Sequence, residues 1–209
     1  AKVIIMDRDV MVSGDKAFVQ LRLEEPVAVR RGDKFIIRFY SPVITVGGGR
    51  VLDANPEKHK RNRDDVLADF EILAAGDIGD IIHLKAGKWK YYKECELGQE
   101  LGLTAAETKQ AIKSLAGQGR VVILADGSIV NEDKLKILED TVSKIIEEYH
   151  IQNPMVDGIP KREVLSRIKE YRHIEDDKLG QAIISKFLDS GMLEDKEKTI
   201  SVAGFKVEF

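Results

Sequence analysis

Along residues 1–56, apolar positions come in short runs separated by turn-forming clusters. The segments KVIIMD, KAFVQLRLEE, DKFIIRFY and VITVGGGRVLD are rich in Val, Ile, Phe and Tyr, with VSGDK and RRGDK between them; this is the pattern of β-strands joined by turns. AFVQLRL alternates strictly, placing Ala17, Val19, Leu21 and Leu23 on one face and Phe18, Gln20 and Arg22 on the other. That period predicts a strand with one buried face. Four or five strands in so short a stretch predict a small barrel or sandwich. The chain opens directly on a strand, so the barrel is expected to be under way already at Ala1.

After the polar connector NPEKHKRNRDD the period changes to that of helices. Residues 104–118 open with Thr104 and Glu107 three apart, a capping box, and continue with Thr108, Ala111, Ile112 and Leu115 at helical spacing. ECELGQELGL predicts a shorter helix before it, with Gly102 in the turn between them. Gly119 ends the longer helix, and RVVIL and SIV flank a DG hairpin turn. Helix, turn, helix and hairpin is the order of a winged helix-turn-helix.

The order then repeats. Asn131 to His150 predicts a long helix carrying Leu135, Leu138, Val142, Ile145, Ile146 and Tyr149 on one side. PKREVLSRI follows as a short helix with Pro160 in its first turn, then DDKLGQAIISKFLDSG, and the strand-like MLED and TISV. Ala111, Ile112, Leu115 and Gly119 match Ile183, Ile184, Phe187 and Gly191 at a constant offset of 72. The expected domains are a β-barrel over 1–60 and winged helices over 61–131 and 132–209.

Gly47, Gly48 and Gly49 raise the question of a phosphate loop. Such a loop needs G-x-x-x-x-G-K-[ST] leading into a helix N-terminus. Here the glycines run into RVLDANP, which is strand-like and then broken by Pro56. A bulge or a close backbone approach is the expected reason for them.

Charge changes this picture more than composition does. The net charge of −3 hides two opposed parts. Residues 1–63 hold 13 Lys/Arg against 8 Asp/Glu, or +5, and residues from 64 on hold 20 against 28, or −8. A polyanion is therefore expected at the first part. No run of apolar residues is long enough to cross a membrane, the start lacks a leader pattern, and a single cysteine excludes an internal disulfide. These features lead to the expectation of a cytoplasmic protein; a monomer is also expected.

Within the basic part, Arg30, Arg31, Arg38, Arg50, Lys58, His59, Lys60 and Arg61 are the candidate RNA-binding residues. The opposing reading is a solvated linker or ion pairs with residues such as Asp64 and Asp65. The second helix of each helix-turn-helix offers a mixed or acidic set: Glu107, Lys109, Gln110 and Lys113, then Asp176, Asp177, Lys178, Gln181, Ser185 and Asp189. Neither is the Arg- and Asn-rich face of a groove reader. In AGKWKYYKE, Trp89, Tyr91 and Tyr92 between lysines suit either base stacking or packing against a wing. His59, His83, His150 and His173 are scattered without ligand spacing, and Cys95 is expected as a small buried residue. No catalytic constellation, metal site or cofactor site is expected.

The string Gly32–Asp53, GDKFIIRFYSPVITVGGGRVLD, resembles the close of the third β-barrel domain of the SelB family, the selenocysteine-specific translation elongation factors. That family's barrel ends in G-D-x-F-I-x-R-x-Y-S-P-x-x-T-x-G-G-G-x-V-L-D and continues into four winged helices. The resemblance implies an elongation-factor-Tu-like barrel, the first two winged helices, and in Val202–Phe209 the junction before a third. It also implies a parent that delivers selenocysteinyl-tRNA to the ribosome at recoded UGA codons in a GTP-dependent manner. The barrel would face the tRNA, and the two winged helices would form a spacer arm toward domains that read the mRNA hairpin. No G-x-x-x-x-G-K-[ST] or N-K-x-D occurs here, so GTP and Mg are expected only in the parent, and this piece is expected to be no enzyme. A tandem winged-helix DNA-binding regulator with a β-rich domain is the alternative, and an interaction module without nucleic acid is a third reading.

Overall fold

The computed structural model describes residues 1–88, 90–172, 174 and 176–205, with Tyr171 and Arg172 by backbone alone. Trp89, His173 and residues 206–209 of the expected junction lie outside the described residues.

The β-rich start forms two antiparallel ribbons. Strand β1 (Lys2–Ile5) pairs with β2 (Val19–Arg22), Val3 opposite Leu21. Strand β3 (Lys34–Arg38) pairs with β4 (Thr45–Arg50), and the register shifts between Ile37 and Arg38. The glycine run lies in β4, where a side chain has no room at two of the three positions. A Cβ on Gly48 would sit 2.7 Å from the Phe35 carbonyl oxygen, and one on Gly49 2.7 Å from the Phe35 ring. Close approach accounts for Gly48 and Gly49; at Gly47, beside the register shift, a Cβ would meet nothing within 4 Å.

Burial departs from the alternation expected for β2. Flanking the strand, Leu23 is half exposed, while Phe18, on the face shared with Gln20 and Arg22, meets the Phe70 ring at 5.5 Å. Among the described residues each ribbon is two-stranded, so Ile36 and Val46 also stay open to solvent.

Two helices follow, α1 (Asp64–Ala75) and α2 (Ile78–Gly87). Next come β5 (Tyr92–Lys93), α3 (Glu94–Leu101), α4 (Ala105–Gly117), β6 (Val121–Ile123) and β7 (Ser128–Asn131). The series recurs with α5 (Glu132–Gln152), β8 (Ile159–Pro160), α6 (Lys161–Arg172), α7 (Asp177–Asp189), β9 (Leu193–Lys196) and β10 (Thr199–Val202). The sheets have the orders β5-β7-β6 and β8-β10-β9, the same topology twice. Helices α4 and α7 begin and end 72 residues apart, and Ile112 and Ile184 are buried at equivalent positions. Gly119 and Gly191 close them with φ of 75° and 74°, a left-handed conformation suited to glycine. Behind each, the Arg120 amide donates to the Leu115 carbonyl and the Met192 amide to the Phe187 carbonyl.

The chain divides into two compact units: Ala1–Leu84 with Cys95–Ala111, and Lys85–Glu94 with the chain from Ile112 on. The first has Met6, Val66, Leu73, Ile81, Ile82, Leu97 and Leu101 as its buried apolar residues. The second is built around α5, with Leu138, Val142 and Ile146 packed among Val164, Ile168, Ile183 and Phe187. Pro160 belongs to strand β8 rather than to a first helical turn, opposite Thr199 at the sheet edge, where its missing N–H costs nothing.

Candidate nucleic-acid interface

Strand register brings together cations that the sequence leaves apart. Lys34 lies directly opposite Arg50 across β3 and β4, and both are exposed. Like charges in such a pair repel. Arg38 is exposed at the other end of β3, past the bulge, and Arg30 is exposed in the preceding turn, where the Asp33 carboxylate accepts from the Arg30 amide at 2.8 Å. Lys34 was missed in sequence, although it lies four residues before Arg38 at strand period. Lys58 and Lys60 are exposed in the connector, which Gln20 holds to β2 by donating to the Glu57 carbonyl at 2.9 Å.

Three of the eight candidates are engaged within the first unit. Arg31 donates to the Leu73 carbonyl near the end of α1 at 2.9 Å. His59 meets Phe70 edge-on at 5.8 Å. The Arg61 guanidinium donates to the Ile5 and Arg8 carbonyls and to the Asp9 carboxylate, each at 2.8 Å. Arg61→Ala strips these carbonyls of a charged donor and is expected to lower stability by about 1–2 kcal/mol in urea unfolding. Lys60→Ala, at an exposed neighbour, should stay within about 0.5 kcal/mol.

The helices that would enter a groove begin with carboxylates. The Thr104 amide and hydroxyl donate to Glu107 at 2.9 and 2.7 Å, and the Glu107 amide donates back to the Thr104 hydroxyl at 3.3 Å. These bonds hold the Glu107 carboxyl below its ordinary pKa. Asp176 caps α7 by accepting from the Lys178 amide, and Asp177 pairs with Lys169. Anionic groups thus stand at both N-termini, which is where a phosphate would bind.

The aromatic–lysine stretch is packed. Tyr92 is buried in β5, with the Lys90 and Lys85 ammonium groups 4.3 and 5.7 Å from its ring centroid. The Lys134 ammonium lies 3.6 Å from the Tyr91 centroid and donates to the Lys88 carbonyl just beyond α2. Lysines over the rings are cation–π contacts, and they cover faces that would otherwise stack on bases.

Lys134 is itself buried, and desolvation pushes its ammonium down to about 7. The unfolded chain therefore binds this proton more readily between pH 7 and the ordinary value of 10.5. Stability is expected to rise with pH across that window, by a few kcal/mol at most, with the penalty fully present below about pH 7. Urea midpoints at pH 7 and pH 9 should show the rise, and Lys134→Met should flatten it.

Cys95 is exposed, contrary to expectation. It sits on the outer side of α3, while Leu97, Gly98 and Leu101 face inward. His150 is buried, and no group of three metal-ligating side chains occurs among the described residues. No helix among them is long and apolar enough to cross a membrane.

Comparison with known proteins gives matches at both ends of the chain. Residues 1–58 match the family model for the β-barrel domain of the selenocysteine-specific elongation factor. Residues 144–201 match the model for a winged helix of elongation factor SelB. A selenocysteine-specific elongation factor from Desulfomicrobium baculatum is 26% identical over 206 residues, covering 92% of this chain and 30% of that protein. The chain thus spans less than a third of that relative's length. Among solved structures, the mRNA-binding domain of elongation factor SelB from E. coli, in complex with SECIS RNA, aligns at a TM-score of 0.47 and 13% identity. That alignment covers 60% of this chain and 96% of the other.

Proposed function

The chain belongs to the family of selenocysteine-specific elongation factors, and from that premise we propose that its β-barrel part binds the backbone of selenocysteinyl-tRNA. The parent protein would carry that tRNA to the ribosome at recoded UGA codons, using GTP and Mg bound by a domain outside this chain. The winged helices, over 61–131 and 132–209, would act as a spacer toward domains that hold the mRNA hairpin.

The observation that carries the tRNA reading is the exposed cationic ribbon. Lys34 and Arg50 face each other with no carboxylate partner among the described residues, and Arg38, Lys58 and Lys60 are exposed in the same unit. Repulsion between Lys34 and Arg50 is relieved by a phosphate between or beside them. The carboxylates at the starts of α4 and α7 disfavour a polyanion there, which also speaks against the DNA-binding regulator.

Titration of the chain with tRNA at rising salt tests this reading. Binding that weakens steeply with salt and is lost on removing the ribbon cations supports it. Binding that survives their removal overturns it.

A further inference from the structure

The last turn of α5 holds His150 with only 7% of its surface exposed, and neither ring nitrogen has a hydrogen-bond partner. Buried polar atoms are rarely left so. The Phe205 ring lies flat on the imidazole, with centroids 3.6 Å apart and planes 22° from parallel.

Other contacts converge on the same short segment after β10. The Ala203 amide donates to the Met192 carbonyl at 3.0 Å, and the Gly204 amide to the Glu194 carboxylate at 3.1 Å. The Lys196 ammonium donates to the Asp157 carbonyl at 3.2 Å and to the Phe205 carbonyl at 3.5 Å. Lys196 thus grips both the loop after α5 and the segment after β10.

We propose that His150, Phe205 and Lys196 form a pH-sensitive clasp that fixes the backbone at Ala203–Phe205 while the imidazole is neutral. A proton on His150 would be largely withdrawn from water and would face the Lys196 charge from β9, with only the Val156 backbone to favour it. Arg167 of α6 stands one ring further off, its guanidinium 5.7 Å from the Tyr149 ring, which in turn meets His150 edge-on at 6.3 Å. Burial, and after it the Lys196 charge, hold the imidazole below its ordinary 6.5, and the Val156 backbone pushes the other way.

The sign of the effect follows. Opening exposes the imidazole to water, so the open form takes the proton more readily. Closure is complete above about pH 6.5 and weakens as pH falls below it. Each unit by which closing lowers the imidazole pKa shifts the equilibrium about tenfold toward opening.

Backbone {1H}–15N NOE values at Ala203, Gly204 and Phe205 in the whole chain, at pH 7.5 and pH 5, test the clasp. The expected result is high values at pH 7.5 that fall at pH 5. His150→Phe should keep the stack and give high values at both. Phe205→Ala should give low values at both and move the His150 titration, read from its Hε1 shift, up toward 6.5. Unchanged NOE values in the unsubstituted chain between the two pH values would overturn the proposal. So would a His150 titration that Phe205→Ala leaves in place, a readout that stands if His150→Phe does not fold.

Discussion

Gly98→Ala is expected to destabilise the first unit by about 1–3 kcal/mol, the usual range for overpacking a tight contact. Helix propensity alone gives the opposite sign, since alanine is better than glycine by about 1 kcal/mol inside a helix. Geometry decides between them. A Cβ on Gly98 would lie 2.6 Å from the Thr108 hydroxyl oxygen and 3.5 Å from its Cβ. Thr108 is fully buried, and its hydroxyl donates to the Thr104 carbonyl at 2.9 Å. Turning that hydroxyl away would break its bond and leave it buried without a partner. Removing the obstruction should therefore restore what the first change costs: Gly98→Ala with Thr108→Ala should be more stable than the sum of the single effects, by about 1 kcal/mol or more. Gly117→Ala is the control, because nothing lies within 4 Å of its Cβ position and its φ is ordinary; it should be neutral or slightly stabilising. Urea midpoints for the four variants measure all of this. Strict additivity of the pair would show that α3 and α4 do not meet at this point.

The second winged unit solves the same crossing with the sizes exchanged. Leu165 on α6 stands where Gly98 stands on α3, each at the fifth helical position. Gly180 on α7 stands where Thr108 stands on α4. A Cβ on Gly180 would approach a Leu165 methyl at 2.9 Å. One partner must be small for the helices to approach, and which one is indifferent. That explains why the repeat was legible at Ile112, Leu115 and Gly119, which keep their character at an offset of 72. It was not legible in the first helix, where the small residue changes sides and the offset becomes 67.

Other features could be read, or not, for equally local reasons. The Thr104–Glu107 capping box depends on residues three apart, and the Asp-Gly turn on adjacent ones, so neither needs tertiary knowledge. The inward turn of Lys134 and His150 breaks the apolar stripe of α5, and only their partners, the Lys88 carbonyl with the Tyr91 ring and the Phe205 ring, explain it. Phe18 is placed by α1, which the alternation within β2 cannot register. The same holds for the candidate interface. The excess of positive charge in residues 1–63 was plain, but composition treats Arg61 and Lys60 alike. The structure gives Arg61 three acceptors inside the unit, while Lys60 remains exposed.

That distinction sets the variants in which tRNA binding should fail. Changing Arg38, Arg50, Lys58 and Lys60 together to alanine is expected to reduce the slope of log affinity against log salt by about 3–4, since each cation withdrawn from a duplex phosphate removes roughly 0.9. Between 50 and 200 mM salt, a slope difference of that size amounts to on the order of a hundredfold in affinity. Arg31 and Arg61 are left in place, because their guanidinium groups bond backbone carbonyls and their removal would confuse unfolding with weakened phosphate binding. The glycines of β4 are also kept, since Gly48 and Gly49 are held by Phe35 rather than by a ligand. Lys109→Ala with Lys113→Ala on the exposed side of α4 is the comparison, and it should change the slope by much less, as Glu107 shares that helix start. Nitrocellulose filter binding with labelled tRNA across that salt range gives both numbers, and circular dichroism confirms that the fourfold variant remains folded. If the α4 pair removes the slope and the fourfold variant does not, the polyanion sits on the first winged helix, and the tRNA-facing role of the barrel is wrong.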